Sequence, residues 1–369
     1  MRVTAVVAAR PNFVKMAPVV RALVNLAGTE VRVVHTGQHY DQALSGSFLD
    51  QLGMPAPDEN LNVGSGSHAE QTAGVMIGIE RSLNVYPTDG VVVAGDVNST
   101  MAAALAAAKL GVPIVHVESG LRSRDWTMPE EINRVVTDRI SDLLLCTSPD
   151  AVENLAAEGI SGAKVALVGN TMIDSLWRLV DAAEASSPLG SLGLEPRSYI
   201  LVTLHRPALV DDPHSLGAVL GALEELASEL PVVFPIHPRT RARLQQLPES
   251  SRRVRLLEPM TYLDFLALQR SARLVITDSG GVQEETSALG VPCLTYRTST
   301  ERPVTLELGT NRLVGTDPGV LLRASREELL TKADFAPRHI PLWDGHAGER
   351  AATAIHRALS DARRPAGSG

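Results

Sequence analysis

Aromatic side chains are scarce in this chain of 369 residues, where Phe, Trp and Tyr together make up 4%. A protein that grips single-stranded nucleic acid stacks bases on such rings, and here there is little to stack on. Basic charge is short as well. The formal net charge is -8, whereas a phosphate backbone is held by a basic face, so nucleic acid is excluded as the main partner. Cys146 and Cys293 stand alone in apolar, strand-like runs. That leaves neither a disulfide framework nor a zinc knuckle, and both read as buried, reduced thiols. No apolar run reaches the roughly 20 residues of a membrane span. Residues 1–9 have the look of a short signal peptide, but Arg10-Pro11 interrupts them; they read as the first strand of a cytoplasmic protein. Missing too are a G-x-G-x-x-G after a strand, a Walker A loop and a tight His/Cys/Asp cluster. No cofactor and no catalytic metal are therefore expected.

What the chain has instead is alternation. Short β-rich runs at 31–34, 91–94, 114–117 and 143–146 alternate with Ala/Leu-rich helical stretches such as 101–110. A second series follows at 199–203, 232–236, 254–257, 273–277 and 292–296. Strand and helix in strict turn predict parallel α/β architecture, and the chain is long enough for two such sheets. Residues 185–196, rich in Ser, Gly and Pro, read as a surface loop just inside the second half.

In open parallel sheets, ligands bind beyond the carboxyl ends of the strands. That rule singles out Arg10, Gln38-His39, Asp96, Glu118, His205-Arg206, His237 and Ser279-Gly280-Gly281. The run Leu274-Val275-Ile276-Thr277-Asp278-Ser279-Gly280-Gly281-Val282-Gln283-Glu284-Glu285 is the most pointed. A strand passes through a small-residue turn into a helix whose first N–H groups and dipole suit an anion, and a carboxylate just inside the helix suits a ribose diol. The plain alternative is a corner whose glycines serve packing. Arg10 and Lys15 either clamp a phosphate or are two surface charges. Asp96 is an N-cap or a ligand-facing acid. Alternation sends His116 and Glu118 to one side of their strand. In Met128-Pro129-Glu130-Glu131-Ile132-Asn133-Arg134, Pro and acids mark a helix start, and Glu130 with Arg134 is an i,i+4 pair. His205 with Arg206 is an acid or phosphate partner, or a solvated loop. Arg302 alone reads as part of a surface loop.

Together, and over nearly the whole chain, these motifs resemble the non-hydrolysing UDP-N-acetylglucosamine 2-epimerase family. The residues carrying the likeness are Arg10-Pro11 with Lys15-Met16-Ala17-Pro18, Gly37-Gln38-His39, Gly95-Asp96, His116-Val117-Glu118-Ser119-Gly120-Leu121-Arg122, Pro129 to Arg134, Gly169-Asn170-Thr171-Met172-Ile173-Asp174, His205-Arg206, Thr277 to Glu285 and Thr300-Glu301-Arg302-Pro303. The resemblance implies a GT-B fold, with two Rossmann-like domains whose parallel sheets face across a cleft. It divides the chain into 1–170 with the acid-base residues, 171–348 binding UDP, and 349–369, a C-terminal helix returning to the first domain and ending in a disordered tail. It implies reversible conversion of UDP-GlcNAc to UDP-ManNAc by elimination of UDP to a 2-acetamidoglucal and re-addition. Asp96, Glu118, Glu130 and His205 would be the acid-base and electrostatic set; crowded carboxylates resist joint ionisation, so one of them stays protonated. Arg10, Lys15, Ser279, Gly280 and Gly281 would hold the phosphates and Glu285 the ribose, with Gln38, Arg134, His237 and Arg302 completing the substrate set. A homodimer follows by analogy with the family.

The chain departs from the family in places. After His205-Arg206 it has Pro207-Ala208-Leu209 where the family shows a variable residue, Glu, and Asn or Ser. Asn12 stands where Glu is common. Ala69-Glu70-Gln71 replaces a region where some members carry an activator-binding Arg, so allosteric activation is not expected. The alternatives are a hydrolysing epimerase that releases ManNAc and UDP, a retaining GT-B glycosyltransferase, and a non-catalytic UDP-sugar-binding protein.

Overall fold

A strand such as Gly90–Ala94, buried at every residue, needs cover on both faces, which a parallel sheet between helix layers provides. The computed structural model describes residues 1–37, 48–236, 240, 241, 243, 253–332 and 334–362. Gln38, His237 and the tail 363–369 lie outside the described residues, as do the side chains of Arg10, Pro207 and Ala208. The chain folds as two units, Met1–Arg178 with Pro341–Gly369, and Leu179–Ile340.

The first unit holds strands β1 (Arg2–Val7), β2 (Glu30–His35), β3 (Glu59–Asn60), β4 (Gly90–Ala94), β5 (Ile114–Ser119), β6 (Leu143–Cys146) and β7 (Val165–Leu167). They lie in the order β3-β2-β1-β4-β5-β6-β7 and every pairing is parallel. The sheet grows outward in opposite directions from β1 and β4, which makes their junction the switch point where such sheets bind ligands. On one face, Ala102, Ala103, Ala106 and Ala107 of the Asn98–Lys109 helix pack with Ile79 and Leu83 of the His68–Val85 helix. Alanine brings the two helices close without costing side-chain entropy.

The Ala347–Ala362 helix packs against the Arg10–Val24 helix of the same unit. Close approach is built in, because a Cβ on Gly348 would lie 2.7 Å from the Pro18 backbone. Its first turn is fastened by Asp174, whose carboxylate accepts from the N–H groups of Ala347 (3.1 Å) and Gly348 (2.7 Å). Just before the helix, the Trp343 indole donates to the Thr147 carbonyl at 3.0 Å. Gly169, at φ +88°, faces the Leu342 carbonyl with no room for a side chain. The Gly169 to Asp174 motif is thus the seat of the returning chain.

The second unit holds β8 (Ile200–Thr203), β9 (Val232–Pro235), β10 (Arg255–Leu257), β11 (Leu274–Thr277), β12 (Cys293–Thr295) and β13 (Asn311–Leu313). The order is β10-β9-β8-β11-β12-β13, again with parallel pairings, and the switch point falls between β8 and β11. Ile200, Val202, Phe234, Leu274 and Ile276 form its core with Leu216, Val219 and Leu223 of the Pro213–Leu226 helix. Within 185–196, expected as loop, Leu189–Leu192 makes one helical turn that Gly193 ends at φ +58°. Both cysteines are free and buried. No helix among the described residues is long and apolar enough to cross a membrane.

Asp174→Ala removes both bonds to the returning helix and is expected to cost about 2 kcal/mol. A lower thermal midpoint by circular dichroism, partly restored in Asp174→Asn, is the expected readout; an unchanged midpoint would show that the cap carries no weight.

Candidate active site

In the first unit, the ends of β4 and β5 present two carboxylates. Glu118 lies where the β5 register shifts between Val117 and Ser119, and its backbone is left-handed at φ +65°. For a residue with a Cβ this is a strained conformation, worth about 1–3 kcal/mol. Lys15, from the second turn of the Arg10–Val24 helix, places Nζ 2.7 Å from Glu118 Oε1, with side-chain exposures of 11% and 2%. A carboxylate so buried needs a cation beside it. Lys15, read from the sequence as a phosphate clamp or a surface charge, is buried and pairs with Glu118.

Asp96 is not an N-cap. Val97 occupies that position for the Asn98–Lys109 helix, without a side-chain cap bond, and Asp96 Oδ2 accepts from Arg134 at 2.6 Å. The expected Glu130–Arg134 pair is replaced as well. Arg134 bridges Asp96 and Glu131, because Glu131 is on the buried face of the helix while Glu130 faces solvent. Glu131 also accepts from Ser123 N (2.9 Å), Ser123 Oγ (3.0 Å) and Arg124 N (2.8 Å). That carboxylate is saturated and structural; no bond holds Glu130 among the described residues, which leaves its carboxylate available to a ligand.

In the second unit, His205 and Arg206 follow β8. Their backbone N–H groups donate to Asp278 Oδ2 at 2.9 and 2.8 Å, and His205 Nδ1 lies 3.0 Å from Asp278 Oδ1. The hydrogen bond to Asp278 raises the His205 pKa against the opposing effect of burial. Burial pushes Asp278 up, but His205 and the two N–H groups hold it below its ordinary value. With Nδ1 committed and the side chain 53% exposed, Nε2 is the nitrogen free to exchange a proton.

Ser279 is the N-cap of the Gly280–Leu289 helix and makes no side-chain cap bond; the first N–H groups of a helix have no partner within it. Gly280 has a second reason to be glycine. A Cβ there would collide with the Arg302 guanidinium and lie 2.7 Å from Glu301 Oε1. Arg302 is no surface residue: it is buried, with Nε 3.0 Å from Glu284 Oε1 and Nη1 on Glu301. Glu301 takes Arg297 at 2.7 Å on its other oxygen. Further along, Glu285 accepts from the Tyr262 hydroxyl at 2.7 Å, and the Gln269 amide, turned to face it, donates to Oε2 at 3.0 Å. Burial pushes the Glu285 pKa up to about 7, against the pull of those two bonds.

Sequence reasoning passed over Glu131, Asp138, Asp278 and Glu301 as charge partners. The spacing Glu131, Arg134, Asp138 was a usable signal, since positions i, i+3 and i+7 share one helix face and all three are buried. Among the described residues, no His/Cys/Asp/Glu group is arranged to hold a metal ion.

Two parallel sheets, each wound outward in both directions from a switch point, define an α/β protein of two Rossmann-like units. The sequence profile of UDP-N-acetylglucosamine 2-epimerase matches residues 21–356. A Methanocaldococcus jannaschii UDP-N-acetylglucosamine 2-epimerase is 40% identical over 361 residues, covering 95% of this chain and 97% of its own. A Pseudomonas aeruginosa UDP-2,3-diacetamido-2,3-dideoxy-D-glucuronate 2-epimerase is 41% identical, covering 89% of this chain and 92% of its own. The crystal structure of the M. jannaschii enzyme in complex with UDP-GlcNAc and UDP superposes with a TM-score of 0.88 at 39% identity, covering 98% of this chain and all of that one. The chain belongs to the UDP-N-acetylglucosamine 2-epimerase family and has its GT-B fold.

Glu285 gives the site a pH signature. Its folded pKa, about 7, lies above the unfolded value of about 4.3, so the folded state binds the extra proton between them. Stability from this group is full below pH of about 4 and is lost as pH rises through about 7, by roughly 4 kcal/mol in all. The urea midpoint of the wild type is expected to fall across that window relative to Glu285→Gln; parallel curves for the two proteins would refute the assignment.

Proposed function

We propose that the protein interconverts UDP-GlcNAc and UDP-ManNAc reversibly, without an added cofactor. The observation that carries this reading is the near full-length match to the M. jannaschii enzyme whose solved complex holds UDP-GlcNAc and UDP. The site chemistry supports it. C2 of the sugar has no adjacent carbonyl, so its proton is too weakly acidic for simple abstraction and return. Loss of the C2 proton to a base with departure of UDP from C1 gives the 2-acetamidoglucal; UDP then re-adds at C1 while a proton is delivered to the other face of C2.

The turn at Ser279, Gly280 and Gly281 holds the leaving diphosphate on the first N–H groups of its helix, and Arg10 adds a cation to the phosphate set. Glu285 takes the ribose diol. Asp96, Glu118 and Glu130 form the carboxylate set, with His205 presenting Nε2 as an acid or an electrostatic partner. Lys15 and Arg134 hold Glu118 and Asp96 in place. A cytoplasmic homodimer belongs to the same reading.

A second reading concerns the sugar alone: the P. aeruginosa relative is named for a diacetamido glucuronate. Purified protein in D2O with either UDP-sugar, followed by NMR, distinguishes these cases. Deuterium at C2 with UDP-ManNAc formed supports the first; exchange only in the diacetamido glucuronate supports the second. Accumulating free ManNAc makes the protein a hydrolase, and bound ligand that stays protiated makes it a binding protein. His205→Asn and Asp96→Asn are each expected to lower kcat by about 100-fold while UDP affinity by calorimetry is kept.

A further inference from the structure

His116 is fully buried on β5, two residues before Glu118. Its Nδ1 lies 2.6 Å from Asp138 Oδ1 and its Nε2 lies 2.8 Å from the Gly95 carbonyl. The Gly95 carbonyl can only accept. Asp138 Oδ2 is already occupied by the Gly120 N–H at 3.0 Å and by Arg122 Nη1 at 2.7 Å. Burial alone would push Asp138 up, yet His116 and Arg122 together hold it below its ordinary value. Both ring nitrogens are therefore engaged. Arg122 is neutralised in turn by a bidentate pair to Glu158, at 2.7 and 2.8 Å.

We propose that His116, held between the Asp138 carboxylate and the Gly95 carbonyl, is a positioning residue that fixes the two reacting carboxylates, Asp96 and Glu118, relative to each other. On one side, its Nε2–H holds the carbonyl of Gly95, the residue before Asp96. On the other, Asp138 grips β5 on both flanks of Glu118, through the His116 ring and through the backbone N–H of Gly120. A left-handed backbone at a residue with a Cβ persists only where its surroundings over-determine it, and this clamp supplies that constraint. Gly120, itself at φ +79°, has no room for a side chain against the Ala151 carbonyl. The clamp touches no substrate atom. It acts by keeping the carboxylates within the narrow tolerance that proton transfer demands, where a displacement of about 1 Å costs on the order of 100-fold in rate.

The proposal rests on the epimerase reading for its kinetic consequence. His116→Gln places an amide nitrogen where Nε2 stood and keeps the Gly95 bond; His116→Asn places it where Nδ1 stood and keeps only Asp138. Expected are a fall in kcat of about 10-fold for the Gln variant and about 100-fold for the Asn variant. Each is taken per UDP-binding site counted by calorimetry, so unfolded protein does not enter, and Kd for UDP stays unchanged. Wild-type kcat in both variants, or UDP affinity falling in step with kcat, would each overturn it. If the wild type neither exchanges C2 nor epimerises, the functional reading fails; if it does both and the two variants match it, the positioning role fails.

Discussion

A carboxylate removed from water must have its charge and lone pairs answered from within the protein, or burying it costs several kcal/mol. Asp138 is the group in the first unit on which that demand falls hardest, being almost completely buried. Every answer it receives comes from residues 116 to 122, the segment that carries Glu118. The loop is therefore as rigid as the requirement is strict. A shift of Glu118 would uncover a charge in the core, so the strained backbone is cheaper to keep than to relax.

The second unit meets the same demand in the same way. Thr203 and Thr277 are register partners at the ends of β8 and β11, so the first residue beyond β11, Asp278, faces the backbone leaving β8. Its carboxylate takes two backbone N–H groups and the His205 ring. In both sheets, then, an acid fastens the polar loop of a strand flanking or next to the switch point. The fold supplies the proximity, because strands that diverge in sequence meet there, and the charge supplies the rigidity.

Which parts of this were legible follows from what writes a pattern into a sequence. Buried parallel strands such as β4 and β11 are continuous apolar runs and stand out. The edge strands β3, β7 and β13 have only two or three residues each and carry no periodicity to detect. Polar residues ending the long strands were visible because they break an apolar run. Their partners were not: Arg134 stands four residues after Glu130 and three after Glu131, and helical spacing permits either pair. Burial decides for Glu131, and burial belongs to the packed fold. Gly280 shows the other limit, since its small size answers to Arg302 and Glu301, residues distant in sequence, as well as to the anion turn.

The departure at Pro207-Ala208-Leu209 can be weighed on the same physical ground. Pro207 opens a single helical turn, Pro207–Val210, a place where a residue lacking an N–H costs nothing. The turn closes on the Arg206 carbonyl through the N–H groups of Leu209 and Val210, at 2.9 and 3.0 Å, and Val210 is buried. Asp278 holds His205 and Arg206 by their backbone, so replacing the polar side chains that follow leaves the ring anchored. Leu209 brings an apolar side chain that packs toward the core of the second unit, where the family's polar pair would offer hydrogen bonds to a ligand. The substitution therefore leaves intact the fastening that holds His205 and Arg206 by their backbone N–H groups.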